Sequence, residues 1–335
     1  MELEPTFRQM YSAIGRPSIP PEQVLKGTVL MAMYSVRSEL QFCERLPYDM
    51  RFRWFLDLGI EETVFVPTTF TKNRGRLLIH EVADTFVQQS VAPAKLRGYV
   101  SDDHVTADGS LLDAWACTKS VTPRDPDSTT DKPGGAAGGG TGGRNPEGDV
   151  HREMRSDATL QSTTDPDALL ARTSHATAAT LAHLDHVLME KRRGLIVETD
   201  LTQATGSAER QTAVDRLARL PGAGARLRAL RVDKECDTGE VIRACRDLTG
   251  TSNVARNMRG CRSAIDERTT RPAGYAISQR LRVEEIVGGK KTVDGCRKRR
   301  FIGRERHRIW TIFSGATVTL TRIVTLERQA ELRAT

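Results

Sequence analysis

Residues 181–202 read LAHLDHVLMEKRRGLIVETDLT, two apolar-rich runs joined by the tetrapeptide KRRG. Runs of this length with a polar, glycine-containing connector predict a β-hairpin. A hairpin needs further strands or helices before it is stable, and the flanking sequence supplies both. HVTADGSLLDAWA (104–116) reads as an earlier strand and its turn, and GSAERQTAVDRLARL (206–220) as a helix capped by Ser207 with Val214, Leu217 and Leu220 on one face. LRALRVDKEC (227–236) and SNVARN read as a fourth and a fifth strand with TGEVIRACRDL as a helix between them, and AISQRLRVEEIVGGKKTV reads as a last helix interrupted by Gly288 and Gly289. The order β-β-β-α-β-α-β-α predicts an α/β fold, a mixed sheet with helices packed on it.

Upstream of this core the pattern becomes that of helices alone. IPPEQVLKGTVLMAMYSV places prolines at a helix start, SELQFCERL and MRFRWFLDLGI follow as short apolar stretches, and VPTTFTKNRGRLLIHEVADTFVQQSV predicts a helix capped by Thr68 or Thr69. That helix carries Lys72, Arg74 and Arg76. Short helices followed by a basic one match the helix-turn-helix arrangement, in which a later helix enters the DNA major groove. The expected division is a helical DNA-binding domain over 1–95, an α/β domain over 96–310 and a C-terminal tail over 311–335. Within the α/β domain, residues 120–180 include TPRDPDSTTDKPGGAAGGGTGGRNPEGD, which has no periodicity and predicts a flexible insertion. Its glycines lack the spacing of a phosphate-binding loop.

The chain has 50 Lys and Arg against 43 Asp and Glu, a net charge of +7. Between Arg271 and Arg308 alone stand twelve basic and four acidic residues. That local excess predicts a polyanionic partner, nucleic acid above all, bound through phosphate neutralisation and counterion release. Six cysteines without a C-x-x-C pair suggest neither a zinc site nor a disulfide framework. No apolar run of membrane-spanning length and no signal-type N-terminus are evident, which predicts a cytoplasmic protein that engages no membrane.

Three carboxylates stand where the strand order could converge them. Asp108 is expected at or near the end of the first strand, Asp233 at the end of the fourth, and Glu284 on the last helix, with Glu285 beside it as a rival. Neighbouring strands lie about 4.8 Å apart, so carboxylates on them can share a metal ion. Two Mg²⁺ or Mn²⁺ ions held this way would activate a water or 3′-hydroxyl and stabilise the leaving oxygen of a phosphodiester. His183 and His186 flank Asp185 but point to opposite faces of a strand, and they read as structural. Trp54 and Trp115 read as buried packing positions.

The blocks GRPSIPPEQVLKGTVLMAMYSVRSELQFCERLPYDMRFRWFLDLG, PTTFTKNRGRLL, ADGSLLDAWA, GGRNPEGD, STTDPDA and GCRSAIDERTTRPAGYAISQR together resemble bacterial insertion-sequence transposases of the DDE type. The resemblance runs from about Gly15 to Arg300 and implies a helical N-terminal domain followed by a ribonuclease-H-like catalytic domain. It implies that Asp108, in Asp108-Gly109-Ser110, is the first catalytic aspartate and metal ligand. Asp233, ahead of Lys234, Asp237 and Thr238, is implied as the second, and Glu284 as the third member. Arg280, four residues before Glu284, would orient the carboxylate or meet a phosphate, and Lys291, seven after it, would contact the DNA backbone. The resemblance further implies terminal inverted repeats and target DNA as partners, and a homo-oligomer assembled on DNA. The chain departs from the family at Glu235 and Cys236, where a glycine and an aromatic are usual. A degenerate transposase that occupies the repeats without cleaving them is therefore a second expectation.

Overall fold

The computed structural model describes residues 18–79, 82–100, 104–123, 149–150, 153–154, 160–172, 177–219, 229–231, 239–247, 251–252, 273–292, 295–298 and 301–334, together with Leu3, Pro5 and Phe7. Helices come first. Helix α1 (Pro21–Met33) begins on Pro21 behind Pro20, where a preset φ and a missing N–H cost nothing. Helix α2 (Glu39–Arg45) is capped by the Ser38 hydroxyl, which accepts the Gln41 N–H at 3.1 Å, and α3 (Met50–Phe55) by Asp49, which accepts the Arg51 N–H at 3.1 Å. Helix α4 (Pro67–Ile79) also starts on a proline, so Thr68 and Thr69 lie inside its first turn and do not cap it. Helix α5 (Val82–Leu96) completes this part of the chain.

The helices close over Phe42, Phe52, Phe70, Leu46, Leu56 and Leu77, all fully buried. Gly27 of α1 allows the approach, since a Cβ there would stand 3.0 Å from the Phe70 ring and 3.1 Å from that of Phe42. Arg53 is buried as well. Its guanidinium donates to the carbonyls of Gly59, Ile60 and Glu62, so one cation satisfies the turn that follows α3.

The sheet begins at β1 (His104–Asp113). Within 120–180, where a flexible insertion was expected, five short strands are described. They are β2 (Val121–Pro123), β3 (Asp149–Val150), β4 (Glu153–Met154), β5 (Leu160–Ser162) and β6 (Leu169–Ala171), with β2 paired to β5 and β3 to β4. The glycine-rich 124–148 lies outside the described residues. The predicted hairpin is formed by β7 (Thr180–Glu190) and β8 (Leu195–Gln203), antiparallel to each other. Helix α6 (Ala208–Arg219), β9 (Ala229–Arg231), α7 (Gly239–Asp247), β10 (Thr251–Ser252) and α8 (Ala273–Thr292) follow. Strand β7 pairs antiparallel with β1, β9 runs parallel to β1, and β10 runs parallel to β9. The sheet order is thus β10-β9-β1-β7, with β6 and β8 both on β7.

Two expectations fail here for physical reasons. Helix α8 passes through Gly288 and Gly289 without a break. Each glycine costs about 1 kcal/mol of helix propensity, but Val283 and Val287 bury their side chains against Val187, Met189 and Ile196 of the sheet, and that packing prevails. Of the stretch 311–335, expected as a tail, residues 311–334 belong to α9 (Arg304–Ala334). Ile309, Trp310, Ile312, Phe313 and Ala316 of α9 are buried in one cluster with the N-terminal helices and with Leu112 and Leu201 of the sheet. By length and composition α9 could cross a membrane, but 61% of its apolar window is buried inside the protein, as in a central core helix.

Helix α9 presses closely on β8. A Cβ at Gly315 would lie 2.7 Å from Cγ2 of Thr199, a β-branched residue with little room to turn. Gly315→Ala is expected to lower stability by about 1–3 kcal/mol in urea unfolding. At Gly288 nothing among the described residues lies within 4 Å of the same position, so Gly288→Ala is expected to raise stability by about 1 kcal/mol in the same assay.

Candidate active site

Directly opposed residues of antiparallel strands share a face. Thr106, Asp108, Ser110 and Leu112 of β1 therefore share one with Met189, Val187, Asp185 and His183 of β7. Val187 and Met189 on that face pack against Val283 and Val287, so α8 covers the side on which Asp108 stands. Asp108 is half-buried in the interior of a ten-residue strand, not at its end. The opposite face belongs to α6. Thr212 of that helix reaches Nε2 of His186 at 3.3 Å, and Glu209 lies where a side chain at Gly109 would be, its Cδ 2.9 Å from an added Cβ. The glycine beside Asp108 thus lets α6 close on the sheet.

The stripe of α8 that meets the sheet continues from Val283 and Val287 to Lys290. Lys290 is 0% exposed and donates to both oxygens of Asp185 at 2.9 Å and to the Thr199 hydroxyl at 2.8 Å. Thr199 in turn donates to Asp185 at 3.2 Å. A buried ammonium paired with a buried carboxylate at this distance pins the register of α8 on the sheet.

The neighbouring Lys291 is half-buried. Burial pushes its ammonium below the ordinary lysine range, and Arg297 adds to this, while Asp185, Asp108 and Asp113 act in its favour. Lys291 is therefore within electrostatic reach of Asp108. Glu284 precedes it by two helical turns on the same flank of α8 and is exposed, whereas Glu285, also exposed, is turned about 100° further round. Arg280 lies in α8 one turn before Glu284. Asp233 lies outside the described residues, and β9 ends just before it at Arg231.

Beside Lys291 opens a cleft of about 930 Å³ between the N-terminal helices and the end of β1. Arg37, Lys291, Arg297 and Lys298 line it against one carboxylate, Asp113, and Trp115 stands at its wall with the Lys298 ammonium 5.7 Å from its ring. Among the described residues this is a concave, cationic surface suited to a phosphodiester strand. Trp115 is 40% exposed and Trp54 80% exposed, so neither is the buried packing residue expected of it. The inward positions around Trp54 are taken by Phe52, Arg53 and Leu56.

On α4, Lys72 and Arg76 are exposed on one face. Arg74, expected to join them in contacting DNA, points the other way. It is buried, pairs with Glu39 at 2.6 Å, and lies 4.5 Å from the Phe301 ring centre. Its spacing from Phe70 and Leu77, four and three residues, already placed it on the apolar stripe. The Asp185–Lys290 pair and the cleft residues Arg37, Asp113, Arg297 and Lys298 were not singled out from sequence. A lysine continuing the Val283–Val287 stripe was the available sign of a buried acidic partner.

Residues 1–76 match the family model of a transposase domain, DUF772. No curated protein matches the chain. Among solved structures, the piggyBac transposase synaptic complex with hairpin DNA is similar over 97% of this chain and 72% of that one, at 8% identity and a TM-score of 0.46. A pre-cleavage Mos1 transpososome is similar over 93% and 79%, at 9% identity and a TM-score of 0.28. The domain match covers the N-terminal helices α1 to α3 and most of α4.

Removing one partner of the buried pair leaves the other charge uncompensated. Lys290→Met is expected to cost about 3–5 kcal/mol in chemical unfolding, and Asp185→Leu combined with Lys290→Met to recover most of that loss. Equal destabilisation in the single and double variants would show that the pair does not couple α8 to the sheet.

Proposed function

From a chain whose first 76 residues match a transposase domain, we propose a DDE-type transposase of an insertion sequence. It would bind the element's terminal inverted repeats, cleave at their ends and transfer the strands to target DNA. One observation carries this reading: β9 lies parallel beside β1 with Arg231 opposite Thr106. Arg231 precedes Asp233 by two residues, and Thr106 precedes Asp108 by two. These two aspartates are the first two members of the proposed metal-binding set. The sheet order supports it too. Three antiparallel strands, β1, β7 and β8, followed by two parallel ones, β9 and β10, on the other side of β1, agree with a ribonuclease-H-like core.

In this reading Asp108, Asp233 and Glu284 are the metal ligands, and their all-oxygen donor set suits Mg²⁺ or Mn²⁺, two ions in number. When bound, such ions activate a water or 3′-hydroxyl and stabilise the leaving oxygen. The chain's own part is positioning and charge. The Asp185–Lys290 pair holds α8, and hence Glu284, in fixed register on the face that carries Asp108. Lys291 and Arg280 neutralise phosphates near the carboxylates. Arg37, Arg297 and Lys298 guide the strand through the cleft, and Lys72 and Arg76 meet the duplex from α4. The protein would act in the bacterial cytoplasm as a homo-oligomer on DNA.

With Mg²⁺ or Mn²⁺, the purified protein is expected to nick or join a labelled terminal-repeat duplex. Asp108→Ala should abolish both reactions and leave the gel shift intact, and equal activity in that variant would sink the assignment. Arg297→Glu with Lys298→Glu is expected to weaken binding across sequences and to reduce the salt slope by about one for each phosphate no longer neutralised. A salt-sensitive gel shift with no cleavage under either metal would instead favour a degenerate transposase that only binds DNA.

A further inference from the structure

A second group of ligating side chains lies on the sheet apart from Asp108. Asp165 sits in the turn between β5 and β6, His183 on β7, and His307 in the first turn of α9. All three are buried, and a candidate ligand atom from each lies within 4.8 Å of the others. Oδ2 of Asp165 and Nε2 of His183 are 3.2 Å apart. That is near the separation of two ligands on one tetrahedral ion with bonds of about 2.0–2.2 Å.

The surroundings of the trio are those of a ligand set. His307 donates its Nε2–H to the Phe301 carbonyl at 2.8 Å, which fixes the tautomer and leaves a lone pair on Nδ1. Ligating histidines are commonly oriented by such a remote carbonyl. Asp165 is placed by its own backbone, whose N–H bonds to the Ser162 hydroxyl at 3.1 Å, and its Oδ1 accepts the Gly303 N–H at 3.3 Å. Nδ1 of His183, the nitrogen turned away from Asp165, has no partner among the described residues although the residue is 0% exposed.

We propose that Asp165, His183 and His307 bind a divalent transition metal, zinc by preference, as a structural clamp joining the β5–β6 turn, β7 and the start of α9. Two imidazoles and one carboxylate favour zinc over the oxygen-seeking Mg²⁺. The fourth position is left to a water or to the second oxygen of Asp165. Burial of all three side chains suits a structural ion. The clamp does not depend on the transposase reading, because none of its ligands belongs to the proposed catalytic set.

The test uses the full chain, purified without a histidine tag, stripped with a chelator and titrated with Co²⁺. Expected is one Co²⁺ per chain with the intense visible absorption of a tetrahedral site, displaced by Zn²⁺ and untouched by Mg²⁺, together with a higher unfolding midpoint on adding Zn²⁺. His307→Gln should lose both the band and the zinc-dependent shift while keeping the wild-type circular dichroism, and Asp108→Ala should keep both. A folded, stripped wild type that gives no such band overturns the proposal, as does a band that persists in His307→Gln or disappears in Asp108→Ala. If His307→Gln does not fold, the wild-type titration decides by itself.

Discussion

The ion pair between Asp185 and Lys290 is the constraint from which the arrangement of the candidate site follows. Both groups are buried, and with Thr199 they form a closed set of short hydrogen bonds between two neighbouring strands and one helix. Such a pair adds little net stability over an apolar contact, but it is intolerant of displacement. A slide of α8 by one turn would strand both charges in the interior. The position of Glu284 and Lys291 along the sheet is therefore set by a residue that takes no part in the proposed chemistry.

Around this point the molecule is held as one piece by α9. The helix is buried against the N-terminal helices on one side and against β8 on the other. Arg308 at its start bridges Asp84 of α5 at 2.8 Å and Asp200 of β8 at 2.6 Å. Burial opposes the charge on Arg308, yet these two carboxylates hold its basicity above the ordinary arginine value. The cationic cleft owes its shape to the same assembly, since one wall comes from the α1–α2 connection and the other from β1 and the segment after α8. Neither part of the chain would form it alone.

The hairpin of β7 and β8 was legible because two apolar-rich runs and the KRRG connector are local signals. So were the proline start of α1 and the helices on either side of β9, whereas α4 starts on Pro67 and not behind the expected threonine cap. Long-range pairing overrode local propensity elsewhere. Gly288 and Gly289 did not interrupt α8, and the 311–335 stretch became part of a core helix because the sheet and the N-terminal helices both needed its apolar side chains. For Arg74, charge suggests a surface cation, but its place on the helical wheel is the better guide. For Trp115, hydrophobicity suggests burial, although the ring lies at a cleft edge.

The sequence by itself determined the helical N-terminal part, the β7–β8 hairpin with the helices after it, and which residue types were available for chemistry. These depend on periodicity, turn residues and caps, all of which act over a few residues. Only the tertiary structure decided that β9 lies against β1, that α8 covers the face of Asp108, and that Asp185 finds Lys290 across more than a hundred residues of chain. It also brought Asp165, His183 and His307 together. Those outcomes rest on burial and charge pairing between distant segments, and no local pattern records which partners will meet.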